Sequence, residues 1–384
     1  MEKPNVGIVT IPISEAGVTP LSNLVDIVSS FSGKIWLVTG DAGHTFFKDN
    51  HKVKLYGVGN RPKPNTFSRI GKYIPTQLRM AYRLAWLSAK TDLWIFFIGA
   101  SASPLPILTA KLLGKIVVLA YAASDTEIIG AQSKILSKPM KLLTKASLTL
   151  SDRIILYSQN LIHEYGLGKY RNKISIAHEH FLDFDKFKLL NQLIERENLV
   201  GYIGRLSEEK GILNFVKAIP GILKQQDEAK FLIGGEGRLR DKIDKYLDQE
   251  NLNSKVKLLG WIPHDELPKY LDELKLLVLP SYTEGLPNIM LEAMACGTPV
   301  LATAVGAIPD VIKDSETGFI MEDNSPECIA KDTIRALNHT NLEQIARNAG
   351  SLVKREFTYE AAVEGYRNIL VEIICRKKSD KTSA

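Results

Sequence analysis

The chain has only three cysteines, Cys296, Cys328 and Cys375, far apart in 384 residues. That spacing supports neither a disulfide framework nor a zinc site, and it suits a reducing compartment. Histidine is scarce too, and His163, His178 and His180 do not make a convincing metal set. Long apolar runs are missing. The longest uncharged stretch, Leu93 to Ala110, is broken by Ser101, Ser103, Pro104 and Pro106. It reads as a strand followed by a helix start, not as a membrane span. Met1 to Asn5 is polar and Val6 to Pro12 is short and strand-like, so no secretory signal is expected. These absences point to a cytoplasmic protein, with a peripheral place on the cytoplasmic membrane face left open.

What is present is a globular composition, 45% hydrophobic and 24% charged. The length suits two α/β domains better than one core. The net charge of +6 is uneven. Residues 1–190 hold 24 Lys and Arg against 13 Asp and Glu, while residues 191–384 hold 25 against 30. The basic first half is either a surface for an anionic partner or a solvated face. A nucleic-acid partner is not expected.

Strand-like and helix-like segments alternate throughout, which argues for parallel sheets with crossover helices. The first series of apolar runs is Val6–Pro12, Lys34–Gly40, Val53–Gly59, Leu93–Gly99, Ile116–Ala122, Arg153–Ser158 and Lys173–Ala177. The second is Leu199–Gly204, Lys230–Gly234, Val256–Gly260, Leu274–Pro280, Pro299–Thr303 and Gly318–Met321. Two doubly wound, Rossmann-like domains follow, over residues 1–190 and 191–358. Residues 359–384 form a terminal piece, with an amphipathic helix over Tyr359–Ile374 and a charged, unordered tail from Lys377.

Open parallel sheets bind ligands at the carboxyl ends of their strands. In the second half those ends carry Arg205-Leu-Ser-Glu-Glu-Lys210-Gly211, Gly234-Gly-Glu-Gly237, Trp261-Ile-Pro263 and Glu284-Gly-Leu-Pro287. Pro287 suits the first turn of a helix and Gly297 the residue just past its end. The start of that helix would offer free amides beside Gly285 and Leu286 to a phosphate. Glu284 would lie just before the helix and Glu292 on it, roughly 6–8 Å apart along the axis. Two such carboxylates can accept hydrogen bonds from different hydroxyl-bearing parts of one nucleotide sugar. Arg205 and Lys210, the latter opening a helix behind Ser207 as N-cap, supply cations for a diphosphate leaving group.

The run Gly204-Arg-Leu-Ser-Glu-Glu-Lys-Gly211, then Gly235-Glu-Gly237, then Glu284 to Glu292, then Gly297-Thr-Pro-Val300, resembles family 4 retaining glycosyltransferases, the group 1 glycosyltransferases. The resemblance covers Leu199 to Leu337. It implies the GT-B fold: two domains facing across a cleft, with the C-terminal helix crossing back to the first. It implies hexosyl transfer from a UDP- or GDP-linked sugar to a glycan, lipid-linked or small-molecule acceptor. Anomeric configuration would be retained, and neither metal nor separate cofactor would be used. Arg205 and Lys210 would hold the donor diphosphate, Glu284 the sugar and Glu292 the ribose, with Ile262 beside the base and Gly235 lining the site. Family members commonly carry a glycine-rich loop after the first strand. Here it is Ile13-Ser-Glu-Ala-Gly17-Val, and Gly17 is the residue expected near the donor phosphate. Many also carry a His at the end of a central strand. The matching stretch, Val117 to Asp125, has none. Tyr121, Ser124 or Asp125 would stand in, with Asp125 the best acid or acceptor. The missing His also suggests the alternative of a non-catalytic nucleotide-sugar-binding or scaffold protein. Asp183-Phe-Asp185 has the form of a metal-binding D-x-D motif but reads better as part of the connection. Lys134, Lys138, Lys141 and Lys145 fall in one helical stripe, either an anionic-lipid surface or a solvent face.

Overall fold

The computed structural model describes residues 3–59, 66–121 and 134–382. The chain forms two compact units, Met1–His180 with Tyr359–Ala384, and Phe181–Thr358. The first unit is built on β1 (Val6–Ile13), β2 (Ile35–Asp41), β3 (Val53–Gly57), β4 (Leu93–Phe96), β5 (Ile116–Ala120), β6 (Arg153–Leu156) and β7 (Ile174–Ile176). Their order in the sheet is β3-β2-β1-β4-β5-β6-β7. The second unit is built on β8 (Leu199–Ile203), β9 (Lys230–Gly234), β10 (Val256–Gly260), β11 (Leu276–Leu279), β12 (Val300–Thr303) and β13 (Phe319–Met321). Their order is β10-β9-β8-β11-β12-β13. The paired strands run parallel, and Val6 aligns with Ile35 on one side and Leu93 on the other.

Helices cover both faces of such a sheet, so its strands need apolar side chains on both sides. β4, β6, β11 and β12 are buried at every residue. Trp94 and Phe96 anchor the first core, and Tyr202, Phe215, Phe231 and Phe319 the second. In each sheet the winding reverses once, between β1 and β4 and between β8 and β11. Ligands bind at such reversals, beyond the carboxyl ends of the strands. Among the described residues, no helix is long and apolar enough to cross a membrane.

The passage between units falls at 180/181, ten residues before the boundary read from the sequence. The segment after Phe181 belongs to the second unit because a buried ion pair holds it there. Arg196 and Asp272 meet at 3.1 Å, both almost fully enclosed. Asp272 accepts the amides of Leu190 at 2.9 Å and Asn191 at 3.0 Å. Arg196 donates to Thr298 Oγ1 at 2.7 Å, to the Cys296 carbonyl at 2.8 Å and to the Leu274 carbonyl at 2.9 Å. The apparently polar connection is therefore a strap bonded into the second unit's core.

The helix Tyr359–Thr382 returns to the first unit and runs through the stretch expected to be unordered. Tyr366 and Leu370 are fully buried, and Arg153 pairs with Glu372 at 3.1 Å. Beside Tyr366 lies Glu179, also buried. Tyr157 donates to one of its carboxyl oxygens; among the described residues the other oxygen and the Tyr366 hydroxyl have no hydrogen-bond partner. His180 Nδ1 is 4.0 Å away. Burial raises the Glu179 carboxyl from 4.5 to about 7. Below pH 4.5 both folded and unfolded chains hold this proton, and between pH 4.5 and about 7 only the folded chain keeps it. Stability therefore falls across that window by about 3 kcal/mol and then levels off. Glu179→Gln is expected to raise the melting temperature at pH 8 and leave it nearly unchanged at pH 4. Thermal unfolding at the two pH values checks this, and equal shifts at both would contradict it.

Candidate active site

The loops after β8 and β11 adjoin because these strands are neighbours at the second sheet's reversal. Each loop fixes the other. Gly211 has φ +68°, and a Cβ there would lie 1.9 Å from the Pro280 carbonyl oxygen. Only glycine lets the backbone pass so close in that conformation. The Tyr282 amide then donates to the Glu209 carbonyl at 2.9 Å. This packing brings Lys210 to Glu284, and its ammonium lies 2.7 Å from both carboxylate oxygens. Ser281 Oγ donates to the same carboxylate at 2.7 Å. The Glu284 side chain is 8% exposed and that of Lys210 26%, so the pair is reachable from solvent mainly on the cationic side. Burial pushes the Tyr202 phenol well above its ordinary range, and the nearby Glu284 charge adds to the shift.

Lys210 differs from its expected place. It closes a 3-10 turn, Glu208–Lys210, and the helix Ile212–Leu223 begins only after Gly211. Ser207 precedes that turn without capping it through its side chain. Arg205 is well exposed and pairs with Glu209 at 3.1 Å, apart from the Lys210–Glu284 pair. The loop that carries it is pinned by the next one. Gly235 has φ +128°, and a Cβ there would fall 1.9 Å from the Gly204 carbonyl oxygen. The Leu206 amide donates to the Glu236 carbonyl at 2.9 Å.

The helix Asn288–Ala295 starts one residue later than expected, with Pro287 as its N-cap residue, and Gly297 follows its end at φ +70°. Leu286 and Pro287 are buried and pack the start of the helix. Gly285 is held by its carbonyl, which accepts the Ala307 amide at 2.8 Å. Met290 donates its amide to the Pro287 carbonyl at 3.1 Å, while the amides of Asn288 and Ile289 lie ahead of any carbonyl that the helix itself offers. Glu292 sits one turn in, almost buried, and His264 Nε2 is 2.8 Å from its Oε1. Lys186 Nζ lies 2.9 Å from the other ring nitrogen, Nδ1, and 2.6 Å from Asp265. An ammonium can only donate, so Nδ1 accepts and Nε2 carries the proton that goes to Glu292. His264 and Lys186 escaped the sequence reading. The signal for His264 was its place directly after Trp261-Ile-Pro263, at the end of β10. Ile262 lies over Gly234, where a Cβ would be 2.4 Å from its Cδ1.

The remaining expectations separate. Gly17 ends a 3-10 turn after β1 with φ −87°, a conformation open to any residue. Asp125 and Ser124 lie outside the described residues. Tyr121 is buried in the first core and meets Tyr165 edge-on at 5.6 Å. Asp183 accepts the amides of Asp185 at 3.0 Å and Lys186 at 3.2 Å, the work of a turn residue. Lys138, Lys141 and Lys145 are exposed on the helix Lys134–Leu150, which carries Pro139 inside it. Burial pushes the Cys296 thiol up to about 12, so it is no nucleophile. At the reversal of the first sheet, just after β4, Ile98 holds φ +33°. A β-branched residue there is strained, as residues at binding sites often are.

Residues 183–352 match the family Glycosyl transferases group 1, and the second unit of the chain is a domain of that family. An uncharacterized glycosyltransferase of Methanocaldococcus jannaschii is 29% identical over 172 residues, 45% of this chain and 47% of that protein. The chain thus spans about half the length of that relative. A longer match is the GalNAc-alpha-(1->4)-GalNAc-alpha-(1->3)-diNAcBac-PP-undecaprenol alpha-1,4-N-acetyl-D-galactosaminyltransferase of Campylobacter jejuni. It is 24% identical over 343 residues, 88% of this chain and 90% of that protein. The fold is that of Anabaena HepE in its crystal structure with UDP: TM-score 0.76 at 16% identity, over 97% of this chain and 100% of that one. The architecture is accordingly GT-B, two parallel-sheet α/β domains.

Proposed function

We propose that the protein is a retaining glycosyltransferase of family 4 that moves a hexosyl unit from a nucleotide sugar to a hydroxyl of an acceptor. One observation carries this reading: Lys210, held by both oxygens of Glu284, sits at the reversal of the second sheet. On binding, the donor diphosphate takes Lys210 toward itself, and Glu284 is released to accept hydrogen bonds from the sugar. As the acceptor hydroxyl oxygen bonds to the anomeric carbon, the bond from that carbon to the diphosphate oxygen breaks; its electron pair goes to the leaving diphosphate, which also takes the hydroxyl proton. Lys210 and the amides at the start of the helix Asn288–Ala295 stabilise that charge. Arg205, free to swing from Glu209, adds a second cation. Glu292, oriented by His264, accepts from the ribose. The cations do the work for which other enzymes use a metal, so the reaction proceeds without one. UDP in the HepE crystal supports a uridine nucleotide as the first donor to test, and the name of the Campylobacter relative supports a lipid-linked glycan among the acceptors.

Thermal shift with UDP-, GDP- and ADP-sugars tests the site. A ligand at 100 times its Kd stabilises the native state by about 2.7 kcal/mol. One base is expected to raise the melting temperature of the wild type and to lose most of that effect in Glu292→Ala. No shift with any of the three would sink the reading.

A further inference from the structure

We propose that the first unit docks on an anionic phospholipid bilayer through the outward face of the helix Thr66–Leu87. Residues 51–151 contain 15 Lys and Arg but only three Asp and Glu, a local excess larger than the net charge of the whole chain. The helices Thr66–Leu87, Pro104–Leu112 and Lys134–Leu150 have no acidic residue at all. An ordinary solvated helix interleaves both signs, because pairs at i,i+4 support it. These three helices pack in series, the first on the second and the second on the third.

The first helix buries Gln77, Met80, Leu84 and Leu87 against the unit. On its opposite side Ile74, Leu78, Tyr82 and Trp86, each four residues from the last, are 62%, 56%, 68% and 53% exposed. A fold does not need a second apolar stripe that faces water. Arg79 and Arg83 flank this stripe and, with Gly57, Val58, Gly59 and Tyr82, line a hollow of about 320 Å³. The next helices carry exposed apolar side chains too. Leu112 is 79% exposed on the second, and on the third Leu142 is 68% exposed beside Lys141. Aliphatic and aromatic side chains framed by cations, with Tyr and Trp among them, match the boundary between headgroups and acyl chains. Charge complementarity picks an anionic bilayer, and the hollow takes a phosphate headgroup between the two guanidinium groups. A polyanion such as nucleic acid would use the cations but leave the apolar stripe unused.

Sedimentation of the full chain without nucleotide tests this. The lipid is phosphatidylcholine vesicles with or without about 30 mole percent phosphatidylglycerol, which supplies the negative surface potential that attracts basic segments. The wild type is expected to pellet with the anionic vesicles only, and less at high salt. Arg79→Ala with Arg83→Ala is expected to weaken partition by about 30-fold. Leu78→Ser with Trp86→Ser should weaken it comparably at unchanged salt dependence. Leu78, Arg79 and Trp86 are exposed and Arg83 is half-buried, and unchanged thermal unfolding confirms the fold. In Trp261→Phe, where Trp86 is the remaining exposed tryptophan, emission should shift to the blue on anionic vesicles. The proposal is overturned if the wild type stays in solution at low salt, if the Leu78 and Trp86 substitutions leave binding unchanged, or if duplex DNA binds as tightly as the vesicles and protects no apolar residue. Since no nucleotide is present, failure here would leave the donor-site reading intact.

Discussion

Lys210→Ala is expected to slow release of nucleoside diphosphate from the productive donor by about 10²–10³-fold, the usual effect of removing one group aimed at developing charge. The substitution has a second consequence that must be separated from the first. Glu284 is 8% exposed and, among the described residues, would keep the Ser281 hydroxyl as its side-chain donor. A nearly buried carboxylate stripped of its cation destabilises the fold. Adding Glu284→Gln removes the stranded charge while the Ser281 contact can be kept. The double variant should therefore recover much of the lost melting temperature and none of the lost turnover. If turnover returned together with stability, Lys210 would be a structural partner of Glu284 and not a group acting on the diphosphate. A loss below tenfold in a folded Lys210→Ala protein would point the same way.

The second large effect is on stability. Asp272→Ala is expected to cost about 3–5 kcal/mol, because it leaves Arg196 charged in the interior. Two backbone amides, those of Leu190 and Asn191, lose their acceptor at the same time. Chemical denaturation measures the loss directly. Arg196→Met with Asp272→Leu should be far milder than the single variant, since paired charges in an interior often contribute little net stability. If Asp272→Ala were neutral, the strap from Phe181 to Arg196 would not be held as described.

Much of this fold could be read because a parallel sheet writes itself plainly. Among the described residues each of the thirteen strands overlaps one of the apolar runs, and β9 and β10 coincide with theirs. Helices were harder. Leu78–Lys90 reads as helical, but the helix starts at Thr66 and carries Pro75 within it. A proline lacks the amide and usually marks a break, so the sequence suggests a later start. The passage between units was misplaced for another reason. Asp183 to Arg196 is polar, and polarity reads as a solvated connection, yet Arg196 and Asp272 satisfy each other across 76 residues inside the core. Pairing at that separation has no local signature.

The candidate site divides in the same way. Gly211, Gly235, Lys210 and Glu284 stand at strand ends, where topology alone gives them meaning. Their contact could not be read, since it depends on β8 and β11 being neighbours although 72 residues of chain separate Ile203 from Leu276. His264 was missed because a single exposed histidine carries no pattern of its own. Its place after Trp261-Ile-Pro263 was the one local signal, and its 2.8 Å approach to Glu292 gives that place its meaning.

The most direct test is to incubate the chain with single UDP- and GDP-sugars and quantify released nucleoside diphosphate by ion-exchange chromatography. Slow hydrolysis by the wild type is expected with one donor, faster release when a suitable acceptor is added, and neither in Glu284→Ala. The anomeric coupling constant of the product, read by NMR, should match that of the donor. A wild-type chain that binds a nucleotide sugar but releases no diphosphate with any acceptor would contradict catalysis and leave a nucleotide-sugar-binding protein in its place.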